Sequence, residues 1–160
     1  MLTLDAETRA AERPDEHKDE VRLWLRMLTC TTMVETEVRR RLRERFALTL
    51  PRFDLMAQLE RMPDGLTLGD LSRRLMVSNG NVTGLVERLV EAGQVERVPH
   101  PVDRRVVLVR LTPAGRAAFT RMARVHEGWI GELFQDLTPA DVQMLMQLLG
   151  RLKQSVRRAK

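Results

Sequence analysis

Residues 67–111 constrain the fold more than any other part of the chain. Two short stretches with apolar residues at helical spacing are separated by a few residues, and two valine-rich stretches follow around a loop. This order predicts a helix, a turn, a second helix and a β-hairpin. The loop of the hairpin carries Asp-Arg-Arg at 103–105. A helix sized for the major groove, followed by a cationic hairpin, is typical of a protein that binds DNA.

The charge of the chain is unevenly distributed. The formal net charge is +5 over 160 residues, yet residues 1–20 hold seven acidic and three basic side chains. The remaining 140 residues carry 24 basic against 15 acidic side chains. A basic body favours a polyanionic partner. We expect a flexible acidic tail over 1–14 and one domain over 15–160.

Composition also argues against several other classes of protein. A single cysteine cannot form an internal disulfide, and no apolar run approaches the roughly 20 residues that span a bilayer. With no secretory leader in the sequence, a cytoplasmic protein without membrane contact is expected. His17, His100, His126 and Cys30 share no ligand spacing, so neither a metal site nor a cofactor is expected. The absence of a catalytic motif predicts that the protein is not an enzyme.

The helical pattern predicts a mainly α fold with a small β-wing. The first helix is expected over 15–46, the winged helix-turn-helix over 50–111, and two closing helices over 113–158, which gives six helices in all. Thr67, with Asp70 three residues later, is a candidate cap for the third helix, and Ser78 for the fourth. In both Leu-Thr-Pro motifs, threonine can cap the helix and proline takes its first turn.

The first, fifth and sixth helices have apolar faces that need cover. The sixth, for example, places Leu145, Leu149 and Leu152 on one side. We expect these helices to form a homodimer interface, because DNA readers of this type use two-fold symmetry to hold two half-sites. The alternative is that these faces pack only within one subunit.

The fourth helix is the predicted reading helix, because the second helix of a helix-turn-helix places its N-terminal side chains on base edges. Asparagine can pair with adenine, and threonine can offer a hydroxyl or a methyl group. Gly80 would let the backbone approach the DNA. The alternative is an ordinary turn followed by a cap. The candidate base-reading residues are Ser78, Asn79, Asn81 and Thr83.

Arginines beside the reading helix and on the wing are the candidate backbone contacts. Phosphate contacts are expected from Arg73, Arg74, Arg88 and Arg104. In the hairpin, Asp103 can hold Arg105 in one rotamer, so that its guanidinium enters a narrow minor groove, where the negative potential is strongest. The alternative is a surface ion pair without function, worth about 0–1 kcal/mol.

These motifs resemble the MarR family of winged-helix transcriptional regulators. The stretch G-Q-V-E-R-V-P-H-P-V-D-R-R-V-V-L-V-R-L-T-P-A-G at 93–115 is similar to the family's wing, with its D-x-R motif at Asp103 and Arg105. The pattern L-x-L-G-D-L-S-x-x-L-x-V-S at 66–78 is similar to its helix-turn-helix entry. The resemblance implies a homodimeric repressor that binds a pseudo-palindromic double-stranded operator and is released by a small aromatic ligand.

Within that family, the segments 24–46 and 49–59 are most similar to regulators that respond to aromatic acyl-CoA thioesters such as p-coumaroyl-CoA or feruloyl-CoA. An effector pocket is expected where the first two helices approach each other, and methionine suits adaptable apolar pockets. The alternative is that the methionines here belong to the plain core, which is the more common use of methionine at helical spacing. Arginine forks suit the phosphates of coenzyme A. The arginine cluster at 39–45 could equally be a solvated face, partly neutralised by Glu37 and Glu44, or could touch DNA phosphates. The candidate effector residues are Met27, Cys30, Thr31, Met56, Arg39, Arg40 and Arg43.

Two other functions remain open at the level of sequence. A redox sensor would use Cys30, because some members of the family sense peroxide through one thiol on the first helix. Such thiols usually form hydrogen bonds to tyrosines, but this chain has no tyrosine, and Cys30 lies in the middle of the helix. A redox sensor is therefore kept as the alternative function. A winged helix can also dock proteins instead of DNA, but the polar tip at 78–83 argues against that use.

Overall fold

The computed structural model describes residues 18–159, which form six helices with one antiparallel β-hairpin between the fourth and fifth. This confirms the mainly α architecture with a small β-wing. The predicted start of the first helix, 15–17, and the predicted tail, 1–14, lie outside the described residues. The elements are α1 (Lys18–Phe46), α2 (Leu50–Glu60), α3 (Leu68–Leu75), α4 (Asn79–Glu91), β1 (Val95–Pro99), β2 (Val107–Leu111), α5 (Pro113–Leu133) and α6 (Pro139–Arg158).

Local capping explains where the helices begin. Thr67 is extended, its Oγ1 accepts a hydrogen bond from Asp70 N at 3.1 Å, and Thr67 N donates to the Asp70 carboxylate at 3.3 Å. Thr138 and Asp141 repeat this reciprocal box at the start of α6, at 3.2 and 2.9 Å. These bonds satisfy backbone donors that a helix start leaves without partners. The predicted capping threonines are therefore confirmed.

The chain divides into two compact units between Arg124 and Val125, inside α5. In the first unit the core is apolar, with side chains from α2, α4 and both strands fully or almost fully buried. Phe53 and Phe119 add a tilted ring contact, with centroids 5.4 Å apart, between α2 and α5. The fully buried side chains are Leu42, Leu55, Met56, Leu59, Leu71, Leu89, Val82, Val86, Val95 and Val109.

The hairpin is joined to the helices on both sides. Strands β1 and β2 pair in register from Val95 with Leu111 to Pro99 with Val107. Leu66, just before α3, forms a further antiparallel bridge with Val109, through N–H···O bonds of 2.9 and 2.8 Å. The base of the wing is therefore joined to the core by backbone hydrogen bonds.

A close joint links the end of α4 to the start of α5. Thr112 donates through its hydroxyl to Gly93 O at 2.7 Å and through its backbone N–H to Gln94 O at 3.1 Å. Gly115, in the first turn of α5, is packed so closely that an added Cβ would lie 1.8 Å from Gln94 O. Gly93 has φ +68°, a conformation that glycine adopts without strain, and ends α4 as predicted.

The second unit includes α6, which has no buried residue in the single chain. A 20-residue helix whose apolar face is open to water is not stable alone, because helices in proteins gain most of their stability from packing such a face. The exposed apolar side chains of α6 are Val142, Met144, Leu145, Met146, Leu148, Leu149, Leu152 and Val156.

Among the described residues, no helix has the length and apolar character needed to cross a membrane.

Candidate nucleic-acid interface

The N-terminal tip of α4 presents polar side chains to solvent. Ser78 precedes the helix with extended backbone, and its Oγ accepts a hydrogen bond from Asn81 N at 3.4 Å. Asn79, Gly80 and Asn81 are exposed, whereas Val82 is fully buried and anchors the helix. The tip therefore combines exposed amide groups with the positive end of the helix dipole, an arrangement that suits a negatively charged duplex.

Thr83 is less open than the asparagines. It is half-buried, and its hydroxyl donates to Asn79 O one turn earlier at 2.9 Å. The hydroxyl hydrogen is thus used inside the helix. What Thr83 can offer to a base is an oxygen lone pair or its methyl group, which suits a thymine methyl.

Gly84 is half-buried and lies on the same side of α4 as the exposed Asn81 and Arg88, although no motif in the sequence singles it out. It lies three residues after Asn81 and four before Arg88, so helical geometry places all three on one face. A Cβ added at Gly84 or at Gly80 would meet nothing within 4 Å. No neighbour in the described chain therefore requires a glycine at this position, and glycine stabilises a helix less than alanine does. Because Gly84 has no side chain, another molecule can approach the backbone of α4 closely here.

The turn between α3 and α4 is fixed by side-chain and backbone bonds. Met76 ends α3 in the left-handed region, with φ 54° and ψ 39°. Ser72 Oγ donates to Val77 O at 2.6 Å and holds the turn in place. Met76 is 93% exposed, the largest exposed fraction among the large apolar residues of the described chain.

The predicted phosphate contacts on α3 and α4 all face solvent. Arg73 forms an ion pair with Asp70, the N3 residue of the capping box, which leaves most of its side chain exposed. Arg74 and Arg88 are exposed as well. Each is thus available to a phosphate oxygen, although contacts of this kind give affinity and register without sequence choice.

At the wing tip, Asp103 holds Arg105. The Asp103 carboxylate accepts hydrogen bonds from Arg105 N at 3.1 Å, from Nε at 3.0 Å and from Nη2 at 3.1 Å. The side-chain bond from Arg105, followed by its backbone bond, lowers the pKa of Asp103 below its ordinary value. The Arg105 side chain nevertheless remains 91% exposed, and Arg104 beside it is exposed too. The ion pair predicted from the two-residue spacing is present.

His100 has a structural part in this loop that the sequence did not reveal. Its Nδ1 accepts hydrogen bonds from Val102 N at 3.2 Å and from Asp103 N at 3.3 Å. His100 N also donates to Val106 O at 2.8 Å, and Val106 N donates to Asp103 O at 2.9 Å. From sequence alone, a single histidine in a loop is expected to be solvated, but His100 holds the wing tip together through these hydrogen bonds.

The predicted effector residues are not brought together as one open pocket. Met56 is fully buried in the core of the first unit and offers no surface to a ligand in this conformation. Met27 is half-buried on α1, whereas Cys30 and Thr31 are exposed. The helical spacing identified residues near the approach of α1 and α2, but spacing alone cannot separate a core methionine from one that lines a cavity.

The arginine cluster of α1 is largely paired within its own helix. Arg39 bonds Glu35, Arg40 bonds both Glu37 and Glu44, and Arg41 also bonds Glu37, at 2.7 Å. The bonds from Arg40 and then Arg41 lower the pKa of Glu37 to about 2. This agrees with the interpretation of a partly neutralised face and adds Glu35, which the sequence analysis had not included. Arg43 is exposed.

A short helix, a fixed turn, a reading helix with a polar tip and an arginine-bearing hairpin together define a winged helix-turn-helix protein. A model of the MarR family matches residues 48–107, which span this region. The transcriptional activatory protein BadR of Rhodopseudomonas palustris is 32% identical over 140 residues, covering 86% of this chain and 79% of BadR. The chain belongs to the MarR family, whose members are transcriptional regulators and not enzymes.

Solved structures agree with this assignment. A MarR family transcriptional regulator from Silicibacter pomeroyi superposes with a TM-score of 0.77 at 34% identity, covering 90% of this chain and 99% of that one. FabT of Streptococcus pneumoniae, solved in complex with DNA, gives a TM-score of 0.72 at 25% identity, with 87% and 98% covered. The six helices and the two-stranded wing are therefore those of the MarR fold.

Proposed function

We propose that this protein is a homodimeric transcriptional repressor that binds a pseudo-palindromic DNA operator and is released by a small aromatic effector. The observation that carries the proposal is the wing tip, where a carboxylate holds an almost fully exposed guanidinium in one orientation. A restrained arginine suits a narrow minor groove, because little side-chain freedom is lost on binding. FabT, which shares the fold, is solved with DNA bound.

The geometry supports three kinds of DNA contact. The exposed amides of Asn79 and Asn81 read base edges in the major groove, with Ser78 and the Thr83 methyl beside them. Arg105 enters the adjacent minor groove. Register on the duplex comes from contacts to the phosphates, made by the exposed side chains of Arg73, Arg74, Arg88 and Arg104.

A second copy of the chain supplies the cover that α6 lacks. No residue of α6 is buried in the single chain, and α1 also exposes apolar side chains, among them Trp24 and Leu28. An isologous dimer buries the same patch on both subunits. It also sets two reading helices about 34–36 Å apart, the spacing of half-sites one DNA turn apart. Analytical ultracentrifugation should therefore give a dimer at micromolar concentration, and a monomer would contradict the proposal.

DNA binding can be tested with a duplex selected from a random library and two alanine variants. Asn81→Ala should lower discrimination at one base pair by about 1–3 kcal/mol, while leaving binding to unrelated duplexes almost unchanged. Arg105→Ala should weaken binding and reduce the slope of log K against log salt by about 1. Equal weakening by Asn81→Ala on every sequence would contradict base reading, and failure of the unmodified protein to select any duplex would overturn the proposal.

For the effector we propose an aromatic acyl-CoA thioester such as p-coumaroyl-CoA. Arg39 and Arg40 are held by glutamates, and Arg43 is exposed further along the same helix. The CoA phosphates would compete with those carboxylates for the guanidinium groups, since arginine forks bind phosphate well. An effector can release DNA only by its differential affinity for the free and DNA-bound states.

The aromatic end of such a ligand would lie against α1 at Met27, Cys30 and Thr31. Met56 could join them only if α1 and α2 separate, because it has no exposed surface as the helices stand. Titration of the protein–DNA complex with p-coumarate, p-coumaroyl-CoA and free CoA tests the chemistry. Release by the thioester alone supports the proposal, whereas release by the free acid alone would assign the site to a simple aromatic acid.

Two further measurements separate the alternatives. Peroxide should leave DNA binding intact in both the unmodified protein and Cys30→Ser, although Cys30 is exposed; release by peroxide that is lost in Cys30→Ser would favour a redox sensor. The direction of regulation needs a reporter assay, because BadR is named as an activatory protein. A reporter fused to the selected operator should be silenced by the protein and restored by the effector, and activation would overturn the proposal of a repressor.

A further inference from the structure

Val102 is a second exposed feature of the wing tip, and it lies just outside the D-x-R motif of Asp103 and Arg105. The residue is 88% exposed, a fraction that only Met76 exceeds among the large apolar residues of the described chain. Single exposed apolar residues are common on protein surfaces and need no explanation by themselves. What distinguishes Val102 is the way in which the loop presents it.

The loop holds Val102 in place from both sides. Its N–H donates to His100 Nδ1, which also accepts from Asp103 N, and the bond from His100 N to Val106 O closes the loop at 2.8 Å. Pro101 precedes Val102 and fixes its own φ. A β-branched side chain on such a loop has few rotamers left to lose. Little conformational entropy therefore opposes a contact made by Val102.

Val102 and Arg105 project from the same closed loop. Arg105 is oriented by Asp103, and Asp103 is itself bonded to His100 through its N–H. One short segment thus carries an apolar side chain and a guanidinium group that both have restricted conformational freedom. The walls of the DNA minor groove offer both partners, since they consist of deoxyribose C–H edges beside a negative potential.

We propose that Val102 packs against a deoxyribose wall of the minor groove that Arg105 enters, and that His100 is the residue that positions it. This inference rests on the proposed DNA-binding function. Val102 adds affinity by removing apolar surface from water, so its contribution does not depend on released counterions. His100 acts through the Nδ1 lone pair, which must stay free of a proton to accept both N–H groups.

The test compares variants of the full-length protein on the selected duplex, by fluorescence anisotropy between 50 and 300 mM salt. Val102→Ala should weaken binding by roughly 5- to 10-fold with no change in the salt slope, because it removes apolar surface and no charge. Val102→Thr keeps the shape but replaces a methyl by a hydroxyl and should also weaken binding. Val102→Ile is the matched control and should bind within about twofold of the unmodified protein.

The positioning by His100 is tested with a pair of substitutions. His100→Asn retains a side-chain acceptor near the position of Nδ1 and should preserve most of the affinity, whereas His100→Ala should lose as much as Val102→Ala. The two alanine substitutions combined should be less than additive, since both remove the same contact. If His100→Ala lowers the melting temperature sharply, the Val102 series alone decides the question.

The outcomes separate this inference from the function on which it rests. If the unmodified protein selects no duplex, the proposed function fails. If it binds DNA and Arg105→Ala lowers the salt slope, but Val102→Ala and Val102→Thr stay within twofold, only the sugar contact is overturned. A change in salt slope with Val102→Ala would also overturn it, because that result would mean that the arginines had moved.

Discussion

Asp103→Asn should weaken DNA binding even though it removes a negative charge from the wing tip that is proposed to face DNA. In the unmodified protein Arg105 N donates a hydrogen bond to Asp103 Oδ1 at 3.1 Å. The asparagine amide keeps an oxygen that can accept this bond, so the turn should be retained. What is lost is the charge that holds the guanidinium through Nε and Nη2. Arg105 would then be free to sample rotamers before it binds, and that freedom would be lost in the complex.

Two effects of opposite sign decide the result. Arginine carries about 2 kcal/mol of rotamer entropy, and part of it is spared when the side chain is restrained in advance. Against this, removing a carboxylate relieves repulsion from phosphate, worth about 1 kcal/mol at 4 Å in water and less with distance and salt. We expect the first effect to win by about 0.5–1 kcal/mol, or roughly 2- to 5-fold in Kd.

The assay is a salt series of DNA titrations followed by fluorescence anisotropy, with thermal melting in parallel. The melting temperature should change by less than about 3 °C, because an exposed ion pair contributes at most about 1 kcal/mol to stability. Glu96→Gln is the matched control, since Glu96 pairs with Arg110 at 2.8 Å within the strands of the same hairpin. It should leave binding unchanged or slightly tighter. Tighter binding by Asp103→Asn would refute the idea that the carboxylate orients Arg105.

Three further predictions concern backbone positions. Gly115→Ala should lower the free energy of unfolding by roughly 3 kcal/mol, because its Cβ would fall 1.8 Å from Gln94 O and backbone would have to move; a melting temperature within 2 °C of the unmodified protein would contradict this packing. Gly84→Ala should raise stability by about 0.5–1 kcal/mol, since its Cβ meets nothing within 4 Å, yet weaken operator binding if that face enters the groove. Unchanged affinity would place Gly84 off the DNA. Met76→Gly should stabilise the protein by about 0.5–1 kcal/mol by relieving a left-handed residue at φ 54°. Met76→Ala, which keeps the strained backbone, should bring no such gain in thermal unfolding.

Features that depend on neighbours in the chain were the ones that the sequence predicted well. The capping of α3 by Thr67 and Asp70 needs only a three-residue spacing, and the pair of Asp103 with Arg105 needs only two. Both are found in the structure. The buried stripe of α4 follows from helical periodicity, with Val82 and Val86 fully buried.

Features that depend on distant contacts were not predictable in the same way. The bridge of Leu66 with Val109 joins positions 43 residues apart through one residue pair, which leaves no periodic signal. The burial of Met56 depends on how α2 packs; a methionine at helical spacing is more often part of the core than of a pocket, but the spacing alone does not decide between them. His100 takes its role from the closure of the wing loop, because its acceptor is useful only when two N–H groups converge on it.

The close packing of Gly115 against Gln94 has a mechanical consequence for the proposed release by an effector. The first turn of α5 lies so close to Gln94 O that no side chain would fit at Gly115. Thr112 is also hydrogen-bonded to the carbonyls of Gly93 and Gln94, so the start of α5 and the segment after α4 are closely packed. A twist or shift of the first turn of α5 must therefore be transmitted to the C-terminal end of the reading helix. We expect this joint to act as a rigid coupling, so that a ligand that rotated α5 by a small angle would also change the direction of the tip of α4.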